Sequence, residues 1–101
     1  MSIREKTLDD AKEIVCKDRN QQYGEPENNF KAIAEFWNTY LYYRGIIQEM
    51  IQPWDVPVMM ELFKNARLST AKKPSYDSFV DICGYAACAA ELVEGDKNEN
   101  N

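Results

Sequence analysis

Histidine is absent from the 101 residues. Its absence removes the side chain that most often moves protons near neutral pH, the Ser-His and Cys-His nucleophile pairs, and most zinc sites. Cations are scarce as well: twelve Lys+Arg stand against seventeen Asp+Glu, a formal charge of −5. A DNA or RNA polymer therefore finds no run of cations to neutralise successive phosphates. No stretch approaches the ~18 unbroken apolar residues that span a bilayer. The first residues, Met1 to Lys6, lack the apolar segment of a signal peptide. These features predict a cytoplasmic protein with neither a nucleic-acid polymer nor a membrane as partner.

Cysteine is sparse and odd in number. Cys16, Cys83 and Cys88 are expected as reduced thiols, the last two lying five apart on one helix and so facing different ways. What is plentiful is apolar surface, 45% of residues with 12% aromatic. That suffices for one domain of this length, which hides roughly two-thirds of its unfolded surface on folding. The domain is expected over residues 1–95. Residues 96–101 carry no apolar side chain and read as a disordered polar tail.

Four helical patterns fill the domain. Thr7 reads as an N-cap with Asp10 in the capping-box position, opening a helix to about Arg19 with Leu8, Ala11, Ile14 and Val15 inward. A turn cluster, Asn20 to Glu25, leads to Pro26, suited to the first helical position. The next helix carries Phe30, Ile33, Ala34, Trp37, Tyr40 and Leu41 as one stripe and stops at Gly45. Gln52-Pro53-Trp54-Asp55 resembles a helix start, with Pro57 setting the latest point at which the regular helix begins. Val56, Met59, Met60, Phe63 and Ala66 form its predicted inner stripe, ending around Thr70. Ser75 caps the last helix, whose predicted inner face holds Phe79, Ile82, Cys83, Ala86, Ala90 and Val93, with Gly95 as its stop. Gly84, Ala86, Ala87, Ala89 and Ala90 allow close approach of another helix. No segment alternates with period two, so the expected fold is an all-α bundle of four or five helices.

Charge recurs at helix-face spacing on the last two helices. Asp77 and Asp81 stand four apart with Tyr85 on the same line, while Glu61 and Lys64 share a face with Arg67 one step round. A short loop makes the helices antiparallel neighbours, bringing Lys64 and Arg67 towards Asp77 and Asp81. Two carboxylates one turn apart, plus Glu61, suit Mg²⁺ and through it a nucleotide's phosphates and a water. The competing interpretation is a partly buried network in which these charges neutralise one another. Aromatics also exceed what one core face needs: Tyr42 or Tyr43 must project, to a subunit interface or to a base. Tyr23 anchors a turn or contacts a ligand.

Tyr23-Gly24-x-Pro26-x-x-Asn29-Phe30, then Lys64-x-x-Arg67-Leu68, then Asp77-x-x-x-Asp81-x-x-Gly84-Tyr85-Ala86 resembles a small helical family of unassigned function encoded by phages and prophages. The resemblance runs from about Lys12 to Glu94 and implies a cytoplasmic setting in a bacterial host. A fainter likeness runs to the MazG-type all-α nucleoside-triphosphate pyrophosphohydrolases, which bind Mg²⁺ through paired acids on two helices. That likeness implies catalytic roles for Glu61, Asp77 and Asp81, with Asp77 and Asp81 holding the metal. The pattern departs from it: Lys64 stands where a second acid belongs, and the later acids are four apart.

The residues accommodate two readings of function. One is a self-associating phage protein that sequesters or weakly hydrolyses a small nucleotide, such as a host immune signal. Lys64, Arg67, Tyr85 and Tyr23 then contact the ligand. The other is a protein-interaction module that inhibits or adapts a host factor, its charged network purely structural.

Overall fold

A computed structural model describes residues 1–18 and 25–99 of the chain. Its first helix, α1 (Ile3–Glu13), begins earlier than the Thr7 cap predicted. Ser2 is the cap. The Glu5 amide donates to Ser2 Oγ at 3.1 Å, and Ser2 Oγ lies 3.3 Å from Glu5 Oε1. The pattern Ser-x-x-Glu thus satisfies amides that would otherwise be left open. Thr7 lies inside the helix, its hydroxyl donating back to the Ile3 carbonyl at 2.7 Å. Of the predicted inner residues only Ala11 is buried, with Val15 half-buried and Leu8 and Ile14 exposed. A π-helical turn, Ile14–Asp18, follows.

Helix α2 (Pro26–Tyr43) matches its sequence pattern closely. Proline opens it, where a missing N–H costs nothing. Phe30 and Ala34 are buried, with Ile33, Trp37 and Leu41 half-covered beside them; Tyr40 turns outward. At the far end the Gly45 amide donates to Tyr42 O at 2.9 Å and the Ile46 amide to Leu41 O at 2.9 Å. This paired closure needs a left-handed residue, and Gly45 supplies φ of +71° without a Cβ clash.

The connection 44–54 is not helical. Asn38 of α2 anchors it, donating from Nδ2 to Ile51 O at 3.0 Å and accepting the Ile51 amide on Oδ1 at 2.8 Å. Helix α3 (Asp55–Thr70) then begins, with the Asp55 carboxylate accepting the Gln52 amide at 2.7 Å. Pro57, in the first turn, is fully buried. Helix α4 (Tyr76–Glu99) follows the short loop 71–75, and α3 packs on it more extensively than any other pair of elements packs.

On both of these helices the packed face matches the predicted one only in part: Val56 and Met60 on α3 and Ile82, Cys83 and Val93 on α4 are covered or half-covered as expected. On α3, Val56 and Pro57 are buried and Met60, Glu61, Lys64 and Leu68 half-buried, whereas Met59, Phe63 and Ala66 face outward. On α4 the buried line is Val80, Gly84, Cys88 and Leu92, and Phe79, Ala86 and Ala90 are exposed. The reason is packing space. A Cβ at Gly84 would stand 2.7 Å from Val15 Cγ1, so the π-helical turn docks where α4 has no side chain. Bulkier residues are thereby rotated away. Helix α4 also passes straight through Gly95 to Glu99, so the stop expected at that glycine is not seen. An interior glycine costs only about 1 kcal/mol against alanine, too little to end a helix by itself.

The core unites Phe30, Ala34, Val56, Cys88 and Leu92, with Val15, Ile33, Trp37, Ile51 and Tyr85 packed around it. Among the described residues the protein is all-helical, with four α-helices and no strand. No described helix is long and apolar enough to cross a membrane.

Candidate functional site

The antiparallel pairing of α3 and α4 decides which charges meet. Going up α3 from Met60 to Lys64 is one turn, and going down α4 from Tyr85 to Asp81 is one turn in the same direction. Lys64 Nζ and Asp81 Oδ2 consequently lie 2.8 Å apart, with 17% and 32% of their side chains exposed. The pair is half-sheltered and water reaches it, so it holds register more than it adds net stability.

One turn along the same seam, Asn29, Phe30, Ile33 and Trp37 of α2, Val56 and Met60 of α3 and Tyr85 of α4 line a cleft of about 260 Å³. Phe30 and Val56 are almost fully covered and form its base. Tyr85 leans on Phe30 with ring centroids 6.5 Å apart and planes tilted by 59°. The cleft is aromatic and apolar, with an amide at its rim from Asn29 and a phenol from Tyr85. Such a lining suits a flat ring, with few polar groups to orient it.

The remaining candidates are distributed elsewhere. Glu61 is half-buried on α3 beside Lys64's face. Arg67 is exposed, its guanidinium 5.7 Å from the centroid of Phe63, and it makes no salt bridge among the described residues. Asp77 lines a different cleft of about 220 Å³, with Asp10, Glu13, Ile14, Tyr76 and Val80. Tyr23 lies outside the described residues. Among the described residues no three Cys, Asp or Glu side chains come together as a metal-holding group. Asp77 and Asp81 share a helix, but one carboxylate meets Lys64 and the other faces α1.

At that α1–α4 contact, Tyr76 Oη donates to Asp10 Oδ2 at 2.6 Å and Lys6 Nζ reaches the same oxygen at 2.7 Å. The Lys6 ammonium first, and the Tyr76 hydroxyl second, hold the Asp10 carboxyl below the usual carboxylate range. Asp10 in turn, followed by Tyr76, raises Lys6 above its ordinary value. Sequence reasoning missed this cluster, because its pairing of Asp10 with Tyr76 joins residues 66 positions apart. It also missed Trp37 and Met60 as cleft residues; both lie in apolar stripes whose default role is core. Asn29 stood beside Phe30 in the sequence motif and was the available signal.

The comparisons bear on the same stretch of chain. The Gene 55 protein of Mycobacterium phage D29 is 37% identical over 94 residues, covering 91% of this chain and 56% of that protein. The Gene 55 protein of Mycobacterium phage L5 is 40% identical over 85 residues, covering 84% of this chain and 51% of the relative. The chain therefore spans about half the length of these curated relatives. No solved structure matches it. These findings support the phage resemblance, whereas the likeness to MazG-type enzymes stands on the residue pattern alone. A family model described as a domain of unknown function, DUF6378, matches residues 6–93, and the chain belongs to that family.

Proposed function

We propose that this phage-family protein binds a small nucleotide, base in the aromatic cleft and phosphate towards Lys64, and holds it without efficient turnover. The observation that carries this reading is the Lys64–Asp81 pair standing one helical turn from a cleft lined by Phe30, Trp37 and Tyr85. A ring entering the cleft stacks against aromatic faces. Its phosphate then lies within a turn of an ammonium that Asp81 already orients, and competes with Asp81 for that charge. Sequestration is preferred over hydrolysis because Asp77 and Asp81 do not converge. The described carboxylates lack the set that would hold Mg²⁺ by themselves, so no step is assigned to the metal.

Thermal melting in the presence of mono-, di- and triphosphates and cyclic dinucleotides, with and without Mg²⁺, tests the proposal. A ligand that binds only the folded state raises the midpoint by mass action. The bound ligand should also change Trp37 fluorescence, and Tyr85→Ala and Lys64→Ala should each weaken the shift. No shift with any nucleotide rejects the reading. A second reading, a module that docks on a host protein, is favoured by Phe36, Tyr40 and Tyr43, which stand outward at helical spacing along α2. On that reading the Lys64–Asp81 pair is structural, and nucleotides leave the melting point unchanged.

A further inference from the structure

The C-terminal half of α2 carries a cleft that the proposed nucleotide site does not use. Glu35, Asn38, Thr39, Tyr42 and Tyr43 line it together with Met50 of the following connection, and it holds about 430 Å³. Its α2 residues recur at three and four, so they share one side of the helix. That side points away from Phe30 and Trp37, which line the aromatic cleft. The clamp between Asn38 and Ile51 builds the far wall. Its two hydrogen bonds, at 3.0 and 2.8 Å, hold the connection against α2, with Ile51 packed on the core and Met50 left 49% exposed at the cleft.

The charges around this cleft say what it accepts. Glu35 alone among the lining residues is charged, and it makes no salt bridge among the described residues, whereas Asp10, Glu13 and Asp81 each meet a lysine. Asn38 is spent on Ile51, and the Thr39 hydroxyl donates to the Glu35 carbonyl at 2.9 Å. A carboxylate and two tyrosine rings remain to meet a ligand. The rings stand edge to face, centroids 5.8 Å apart and planes at 85°. The last turn of α2 contains no basic residue, so the negative end of its dipole has no cation there. Arg44, the next residue, turns to the other side of the helix. Its Nη1 donates to Tyr40 Oη at 2.9 Å, with the guanidinium 5.7 Å from the ring centroid.

The Arg44–Tyr40 contact shows, on the same helix end, how a guanidinium sits against a tyrosine. A second guanidinium fits the cleft by the same chemistry: its flat face stacks on a ring while its N–H groups pair with both oxygens of a carboxylate. A phosphate would meet Glu35 and be repelled. An ammonium has the charge without the plane. The cleft is open, and Tyr43 is 83% exposed, so a lone guanidinium gains little there against solvent. Phe36 lies seven residues before Tyr43 on the same side of α2 and is 78% exposed, extending the surface past the rim. An arginine carried on a chain covers both the cleft and Phe36.

We propose that this cleft docks an arginine side chain of a partner polypeptide. The guanidinium stacks on the tyrosine pair and is held by Glu35, with an apolar neighbour of the arginine on Phe36. The site shares no residue with the nucleotide cleft and needs no nucleotide, so either can fail alone.

Nuclear magnetic resonance titration of the isotope-labelled 101-residue chain with the blocked peptide Ala-Leu-Arg-Leu-Ala tests the proposal. The Met50 methyl and the Tyr42 and Tyr43 ring signals should move and saturate at about millimolar peptide. Glu35→Gln, which keeps the side chain's size, and Tyr43→Ala should each weaken binding about two- to fivefold. Glu91→Gln removes the same charge from an exposed position on α4 and should leave it unchanged. Lysine in place of the peptide's arginine should weaken binding, and neutral citrulline should abolish it. N-acetylarginine amide should bind more weakly than the peptide, and Phe36→Ala should weaken the peptide alone. Absence of any shift at Met50 and the two tyrosines overturns the proposal. So does equal weakening by Glu35→Gln and Glu91→Gln, or a lysine peptide that binds as well, since either means diffuse attraction to an acidic protein. An arginine amide that binds as tightly as the peptide overturns the polypeptide as occupant.

Discussion

Helices α2 and α4 offer the sharpest contrast in this molecule. On α2 the stripe of large apolar side chains and the packed face coincide: Phe30, Ala34, Ile33 and Trp37 point where their spacing says they should. On α4 they coincide only in part: Ile82, Cys83 and Val93 are half-covered, but the packed line runs through Val80, Gly84, Cys88 and Leu92 while Phe79 looks outward. Both helices obey the same periodicity. The difference is that α2 meets its neighbours with bulk, whereas α4 meets Val15 with an absence of bulk at Gly84. A helix with one face of large residues and another of small ones has two ways to pack. Close approach of the backbone can then outweigh side-chain size.

The contrast can be broken most forcefully within α2. Phe30 is 1% exposed and Phe36 78% exposed, about one and two-thirds turns apart on one helix. Phe30→Ala should cost about 3–5 kcal/mol in denaturant unfolding, as expected for emptying a core phenylalanine site. Phe36→Ala should stay within about 0.5 kcal/mol. Equal effects of the two changes would show that α2 packs on a different face.

The next largest effect belongs to α4. Gly84→Leu forces side-chain atoms into the space of Val15 and should destabilise by about 1–3 kcal/mol, despite leucine's better helix propensity. Combining Gly84→Ala with Val15→Ala should recover stability relative to Gly84→Ala alone, a coupling readable by a double-mutant cycle. Additive losses would mean that the two residues do not touch. Asn38→Ala comes next, because it strands both the amide and the carbonyl of Ile51. A loss of about 1–2 kcal/mol is expected, with faster hydrogen exchange through 46–54.

The smallest effect concerns the exposed Asp10 cluster where α1 meets α4. Asp10 titrates below its ordinary range in the folded chain, so the unfolded chain binds protons first as pH falls. Its contribution is therefore present at neutral pH and is lost as pH drops through the depressed folded value. Asp10→Asn should lower the melting point slightly at pH 7, with the gap to wild type closing in acid. A gap that widens in acid contradicts the assigned pairing. Exposure and salt screening keep the effect small.

Several features were legible for local reasons. Pro26 at the start of α2 and Gly45 at its end act within a few residues of themselves, and both do what their chemistry requires. The start of α1 was misplaced: Ser2-x-x-Glu5 competes directly with the Thr7-x-x-Asp10 box on which the sequence reading rested, and the earlier box lengthens the helix by more than a turn. Lys64 meeting Asp81 followed from charge spacing and a short loop. The aromatic cleft did not follow, because Trp37 and Met60 resemble any core residues until α2 is laid across the α3–α4 pair. Arg67 and Asp77 stood with Lys64 and Asp81 in the sequence. One step of helical rotation sends the first to Phe63, and one turn sends the second to α1's side.

The sequence by itself determined that this chain is helical, where α2 begins and ends, and that acidic and basic side chains would meet between α3 and α4. Caps, proline, glycine and the 3.6-residue period all act over a few positions. Only the tertiary structure decided which apolar face of α3 and α4 turns inward, and which carboxylate reaches Lys64. Those choices depend on the rotation and register of one helix against another, set here by the close fit of Val15 over Gly84.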